Sequence, residues 1–226
     1  MLFRSTNANV VATKAEKIAV VYIENDWGKA AYAAFKKEAL AKGIDIAYES
    51  SFLADSTDLS PILIPARDAH PDAIVHVGYG PDGALVINTL RDKLGYTGPF
   101  YGGQITNEYI TTSGKNGEGT ILMAPFTTDT TNPNAQKFVK DFRAKYKIDP
   151  GEFNQTSYAA IIDLAYGMNK TSPTRAGVQK ALQTVTDFPC YVGNKTTFSF
   201  DQKTRRMSST SFLKLQLKDG KFQVMN

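Results

Sequence analysis

A doubly wound parallel α/β sheet is predicted for most of this chain by three observations. Apolar runs of strand length recur at residues 18–23, 72–77 and 121–124, rich in β-branched side chains and too continuous for half-exposed strands. Helical stretches separate them, and Lys42-Gly43 and Leu94-Gly95 carry the glycine that closes a helix just past its last turn. The resulting order, β-α-β-α-β-α-β, is the grammar of parallel strands joined by right-handed crossovers.

The first strand, KIAVVYI at 17–23, is broken by the polar trio Glu24-Asn25-Asp26, and Trp27-Gly28 opens an alanine-rich helix to about residue 42. Residues 44–52 alternate in part (Ile44, Ile46, Tyr48) and form the next strand. Asp58 caps the following helix, with Pro61 near its start, where a missing N–H costs nothing. Pro65 predicts a bend or a shortened helix. The strand at 72–77 runs into Gly78-Tyr79-Gly80-Pro81-Asp82-Gly83 and the helix ALVINTLRDKLG. Phe100-Tyr101 is a short strand leading to Gly102-Gly103-Gln104, and 121–124 is one more.

From Asn132 the pattern changes to three helical stretches, about 134–147, 155–169 and 174–186. The second carries Tyr158, Ile161, Ile162, Leu164 and Ala165 on a broad apolar face. Strands return at 196–200 and 211–217, and Asp219-Gly220 turns into a last one at 221–224. Pro125 and the polar TTDTTNP at 127–133 mark the boundary. The expected organisation is an α/β ligand-binding lobe of residues 1–125 plus 196–226, and a helical portion of residues 126–195.

Composition removes several function classes. Residues number 226, with 42% hydrophobic and 21% charged, enough for a real core in a soluble globular protein. The net charge of +4 is dispersed, and its densest cluster, Lys203-Thr204-Arg205-Arg206, lacks the interleaved aromatics of a nucleic-acid surface. A single cysteine, Cys190, excludes an internal disulfide and a thiolate metal cluster. His70 and His76 are the only histidines and have no partners at metal-ligand spacing, so no metal is expected. No apolar run approaches the ~18 residues of a membrane span. Met1-Leu2-Phe3-Arg4 leads directly into polar residues, so no signal peptide is expected in this chain.

Gly78-x-Gly80-x-x-Gly83-Ala84 matches the spacing of a dinucleotide fingerprint. It follows the third strand rather than the first, Pro81 removes one N–H donor, and Gly102-Gly103-Gln104 stands where an acidic ribose partner is needed. A tight turn presenting Tyr79 accounts for the glycines better. No nucleophile elbow, HExxH or P-loop occurs, so no enzyme is expected and no cofactor is implied. Trp27, Tyr79 and Gln104 all follow the carboxyl ends of expected parallel strands, where an open α/β sheet holds ligands. For the two aromatics the competing reading is core or rim packing, and for Gln104 a surface loop.

At these residues the chain resembles the periplasmic solute-binding proteins of the branched-chain amino acid type, with the type I periplasmic-binding-protein fold. FRST at 3–6 is similar to a segment where that family first crosses between its lobes. KIAVVYIENDWG, PDAIVHVGYGPDG, GPFYGGQ, EGTILMAP, QTSYAAIIDLA and TFSFDQKT…LKDGKF follow in the family's order. The resemblance implies capture of a small organic solute in an interlobe cleft and delivery to a membrane ABC permease, by a periplasmic or cell-surface protein that is monomeric when intact. It implies Trp27 where the family places an aromatic against the ligand, Tyr79 where it uses a tyrosine or a nearby backbone group, and Gln104 where amino-acid-binding members carry a glutamate that pairs with the ligand's ammonium. An amide neutralises no such charge, so an amino acid, an amide or an aromatic or aliphatic carboxylate all fit. The resemblance further implies an N-terminally truncated member, with one complete parallel-sheet lobe and the helical part of the second. Two other readings stand beside it: a nucleotide-dependent enzyme using the Gly78–Gly83 loop, and a non-functional fragment whose helices at 132–190 expose apolar faces.

Overall fold

The computed structural model describes residues 15–102, 106–208 and 212–225. They cluster into two compact units, one within Met1–Ala124 and Lys214–Asn226, the other Pro125–Leu213. In the first unit, five strands, β1 (Lys17–Ile23), β2 (Asp45–Phe52), β3 (Ala73–Val77), β4 (Phe100–Tyr101) and β5 (Ile121–Ala124), are joined by β8 (Leu213–Lys218) and β9 (Lys221–Val224). The sheet order is β2-β1-β3-β4-β5-β8-β9. The pairs β1–β2, β1–β3, β3–β4 and β4–β5 are parallel, and β8–β9 is antiparallel across the Asp219-Gly220 turn.

Every residue of β3 is buried, and β1 is nearly so, as expected of strands covered on both faces. Ile18, Val20, Ala73 and Val75 meet Ala31, Tyr32, Phe35 and Ala39 of α1 (Asp26–Ala41) in one core. Between β2 and β3 lies α2 (Ser60–Asp68), with Pro61 in its first turn and Pro65 tolerated inside a helix of only nine residues. Asp58 accepts from the Ser60 amide at 3.0 Å, although Leu59 is the capping residue.

Three differences from the sequence expectations stand out in this unit. The helix α1 starts at Asp26, so Trp27 lies in its first turn, with the Asn25 side chain accepting from Gly28 N at 2.7 Å. The helix α3 (Gly80–Asn88) takes Pro81 into its first turn and passes into a π-helical turn, Thr89–Lys93. A helix that sequence patterning did not show, α4 (Asn107–Ser113), follows β4; it is short and polar, and the Thr106 hydroxyl starts it by accepting from Tyr109 N at 3.0 Å.

The second unit holds α5 (Pro133–Tyr146), α6 (Glu152–Lys170) and α7 (Arg175–Thr184), with β6 (Phe188–Pro189) and β7 (Thr197–Phe198) as a separate antiparallel pair. The return to the large sheet expected at residue 196 therefore comes later, with β8 at Leu213. Phe198 is held back because it pairs with Phe188 and shares a core with Ala181 and Cys190. Buried Asn132 fixes the start of α5: its Oδ1 accepts from the Asn134 and Ala135 amides, and its Nδ2 lies within bonding distance of the Cys190, Gly193 and Lys195 carbonyls.

The apolar face expected on α6 is present and open. Only Gln155 and Gly167 of this helix are buried, whereas Phe153 is 59% and Ile161 66% exposed, with Tyr158 and Leu164 beside them. Exposed apolar surface of this kind binds other apolar surface. The isolated chain is expected to enhance the fluorescence of an apolar dye such as ANS and to self-associate as concentration rises, and Ile161→Glu to reduce both. A dye signal and oligomeric state unchanged by Ile161→Glu would contradict this.

Candidate functional site

In the first unit the sheet order 2-1-3-4-5 reverses direction at β1 and β3. In open α/β sheets, crossovers from such adjacent strands leave to opposite sides, and ligands are held beyond the carboxyl ends of those strands. The turn after β1 delivers Trp27, and the turn after β3 delivers Tyr79, the capping residue of α3. The two half-buried rings stack, with centroids 4.9 Å apart and planes 21° from parallel. Two side chains 52 positions apart in sequence thus form one aromatic surface at the switch point. Gln104, the third residue expected here, falls outside the described residues, as does FRST at 3–6.

Close packing beneath the platform explains the glycines. A Cβ on Gly28 would lie 2.0 Å from the Ile23 carbonyl oxygen, so α1 can start this close to the end of β1 only without a side chain there. A Cβ on Gly78 would lie 2.2 Å from Asp82 Oδ2 and 2.4 Å from His76 Nε2, while Gly80 and Gly83 lie against Thr106 and His76. The spacing that matches a dinucleotide fingerprint is filled by the protein's own groups. Asp82 also places a carboxylate at the N-terminus of α3, accepting from Tyr79 N at 2.9 Å, where a phosphate would have to sit. Burial opposes the charge on Asp82, but the His76 imidazole and the Tyr79 N–H outweigh it and hold its pKa below the usual carboxylate value.

The second unit contains a cavity of about 380 Å³ lined by Gln155, Asp163, Leu182, Tyr191, Phe198 and Met207, among others. Gln155 Oε1 and Asp163 Oδ1 are buried there without a hydrogen-bond partner among the described residues. Burial pushes the Asp163 carboxyl up from 3.8 to about 7. In that window the folded chain holds a proton that the unfolded chain has lost, so stability falls as pH rises from about 4 to about 7 and then levels off. Thermal melts at pH 5 and pH 8 are expected to show the higher midpoint at pH 5, and Asp163→Asn to shrink the difference. Equal differences in wild type and Asp163→Asn would show that this carboxyl is not responsible.

Among the described residues, no group of three or more His, Cys, Asp or Glu side chains could hold a metal ion, and no helix is long and apolar enough to cross a membrane. Buried Cys190 has its pKa raised by burial, which leaves it a poor nucleophile.

Comparison with known proteins adds a lineage to this geometry. A family profile described as periplasmic binding protein matches residues 3–221. A Leu/Ile/Val/Thr-binding protein of Salmonella typhimurium is 23% identical over 159 residues, which cover 69% of this chain and 43% of that protein. The solved structure of a leucine-binding protein, LivK, from Thermotoga maritima superposes with a TM-score of 0.88 at 22% identity, over 100% of this chain and 64% of the other. A solute-binding protein of an ABC transporter from R. palustris, solved in complex with benzoate, superposes with a TM-score of 0.83 at 19% identity, over 100% of this chain and 62% of the other. The chain spans about half the length of the curated relatives it matches, 43% to 53%.

Proposed function

The chain belongs to the periplasmic binding protein family, and from that premise we propose that it is part of the extracytoplasmic solute-binding component of an ABC importer. The first unit is the ligand-binding lobe and the second the helical portion of the other lobe. It performs no chemistry: a small solute is captured at the Trp27–Tyr79 platform, held in the periplasm or at the cell surface, and passed to a membrane permease by the intact protein, which is monomeric. The observation that carries this reading is the stacking of Trp27 and Tyr79 at the point where the strand order reverses.

An aromatic surface of this kind encloses the apolar or aromatic part of a ligand, and Gln104 supplies a neutral hydrogen bond to its polar end. Relatives named for leucine, isoleucine and valine and a structural neighbour holding benzoate support an amino acid or carboxylate with an apolar body. The test is a series of thermal melts with leucine, isoleucine, benzamide and benzoate. A bound solute at a hundred times its dissociation constant stabilises by about 2.7 kcal/mol. A selective upward shift is expected for at least one of them; a folded protein whose midpoint moves with none would overturn solute capture by this chain.

A further inference from the structure

The pair beneath the platform, buried His76 and partly buried Asp82, has a geometry that packing alone does not require. The His76 side chain is fully buried, and neither ring nitrogen has a hydrogen-bond partner among the described residues. Its ring lies between Phe52 of β2 and Phe100 of β4, at centroid distances of 5.8 and 6.3 Å. A histidine walled by phenylalanines could be replaced by another apolar residue, yet here Gly78 and Gly83 leave room for the imidazole to approach a carboxylate. Nε2 stands 3.4 Å from Asp82 Oδ2, an ion-pair distance longer than a charge-assisted hydrogen bond. The same Oδ2 accepts the Tyr79 amide.

We propose that His76 and Asp82 are positioning residues that make the Trp27–Tyr79 platform sensitive to protons. When the imidazole is neutral, Asp82 Oδ2 serves the Tyr79 N–H alone. When it takes up a proton, Nε2–H becomes a charged donor aimed at that oxygen. The contact then closes toward hydrogen-bond length, and the carboxylate that fixes the start of α3 is shared between two donors. Tyr79 moves with its cap, and the stack on Trp27 changes.

The surroundings leave Asp82 as the partner. From β2 and β4 the imidazole meets Phe52 and Phe100, and from the α3 turn it meets Gly78 and Gly83, none of them charged. Tyr109 of α4, whose ring edge approaches Gly83, has its hydroxyl engaged with Thr120 at 2.7 Å. Proton exchange has a route through Asp82. Its side chain is 14% exposed and lines a cavity of about 160 Å³ with Leu53, Ser56, Leu59 and Pro81.

Trp27 is the only tryptophan, so its fluorescence reports on the platform without any ligand. The biological meaning of the pair rests on the solute-binding reading, but this measurement on the free protein does not. Emission of the full chain is followed from pH 8 to pH 5, the interval in which imidazoles change charge, for wild type, His76→Phe and Asp82→Asn. His76→Phe keeps an aromatic ring between Phe52 and Phe100, and Asp82→Asn keeps an acceptor for the Tyr79 N–H. The wild type is expected to show a fluorescence step, and both variants to lose it with unchanged far-UV circular dichroism. A wild type without a step, or a step of equal size and midpoint in folded His76→Phe, would overturn the proposal. Where His76→Phe does not fold, Asp82→Asn alone decides: retention of the full step rejects it, and loss supports it.

Discussion

Trp27→Ala is expected to weaken the binding of whichever of leucine, isoleucine, benzamide or benzoate stabilises the wild type by at least about tenfold, or 1.4 kcal/mol. Half of the platform is this ring, and its other face of contact is Tyr79 at 4.9 Å. Trp27 is half-buried at the first turn of α1, so its loss opens no large internal cavity. Calorimetric titration, which does not depend on the missing fluorophore, reads the affinity. Trp27→Phe keeps a flat ring and is expected to fall between wild type and alanine. Wild-type affinity in Trp27→Ala would remove this residue from the site.

Gly28→Val is expected to cost about 3 kcal/mol of stability or more, read as a lower urea midpoint with an unchanged slope. Even the first carbon of a side chain would lie 2.0 Å from the Ile23 carbonyl oxygen and 2.6 Å from Ile23 Cγ2. Relief requires the start of α1 to move off the end of β1. That movement breaks the Gly28 N to Asn25 Oδ1 bond and displaces Trp27, so any folded remainder should also lose solute binding. A variant as stable as wild type would mean that α1 does not approach β1 as described.

The two predictions concern neighbours in sequence with different origins, and this bears on what could be read before the structure. The strand runs, the glycine helix ends and their order indicate the parallel sheet directly, because burial on both faces leaves continuous apolar runs. Trp27 and Tyr79 could be placed at strand ends by the same pattern. Their contact could not, since it depends on β1 and β3 being adjacent, and sheet order is not written in local periodicity. His76 gave even less signal: a lone histidine inside an apolar run looks like filler until the Gly78 and Gly83 approaches show what it faces.

Elsewhere, long-range pairing overrode local pattern. Residues 196–200 have the composition of a strand, but only Thr197–Phe198 form one, and they pair with Phe188–Pro189 instead of joining the large sheet, because Phe198 and Phe200 complete a small aromatic core with Phe188. The helix α4 was missed for the opposite reason. Its seven residues are mostly polar, and the Thr106 cap and the buried Tyr109 that stabilise it are single features.

The most direct test of the platform is acrylamide quenching of Trp27 fluorescence, with and without the solute that raises the melting midpoint. A solute seated against Trp27 and Tyr79 shields the indole, so the quenching constant is expected to fall on binding, and to fall in proportion to occupancy. A solute that stabilises the protein while leaving Trp27 as open to quencher as before would bind elsewhere, and the platform would not be the site.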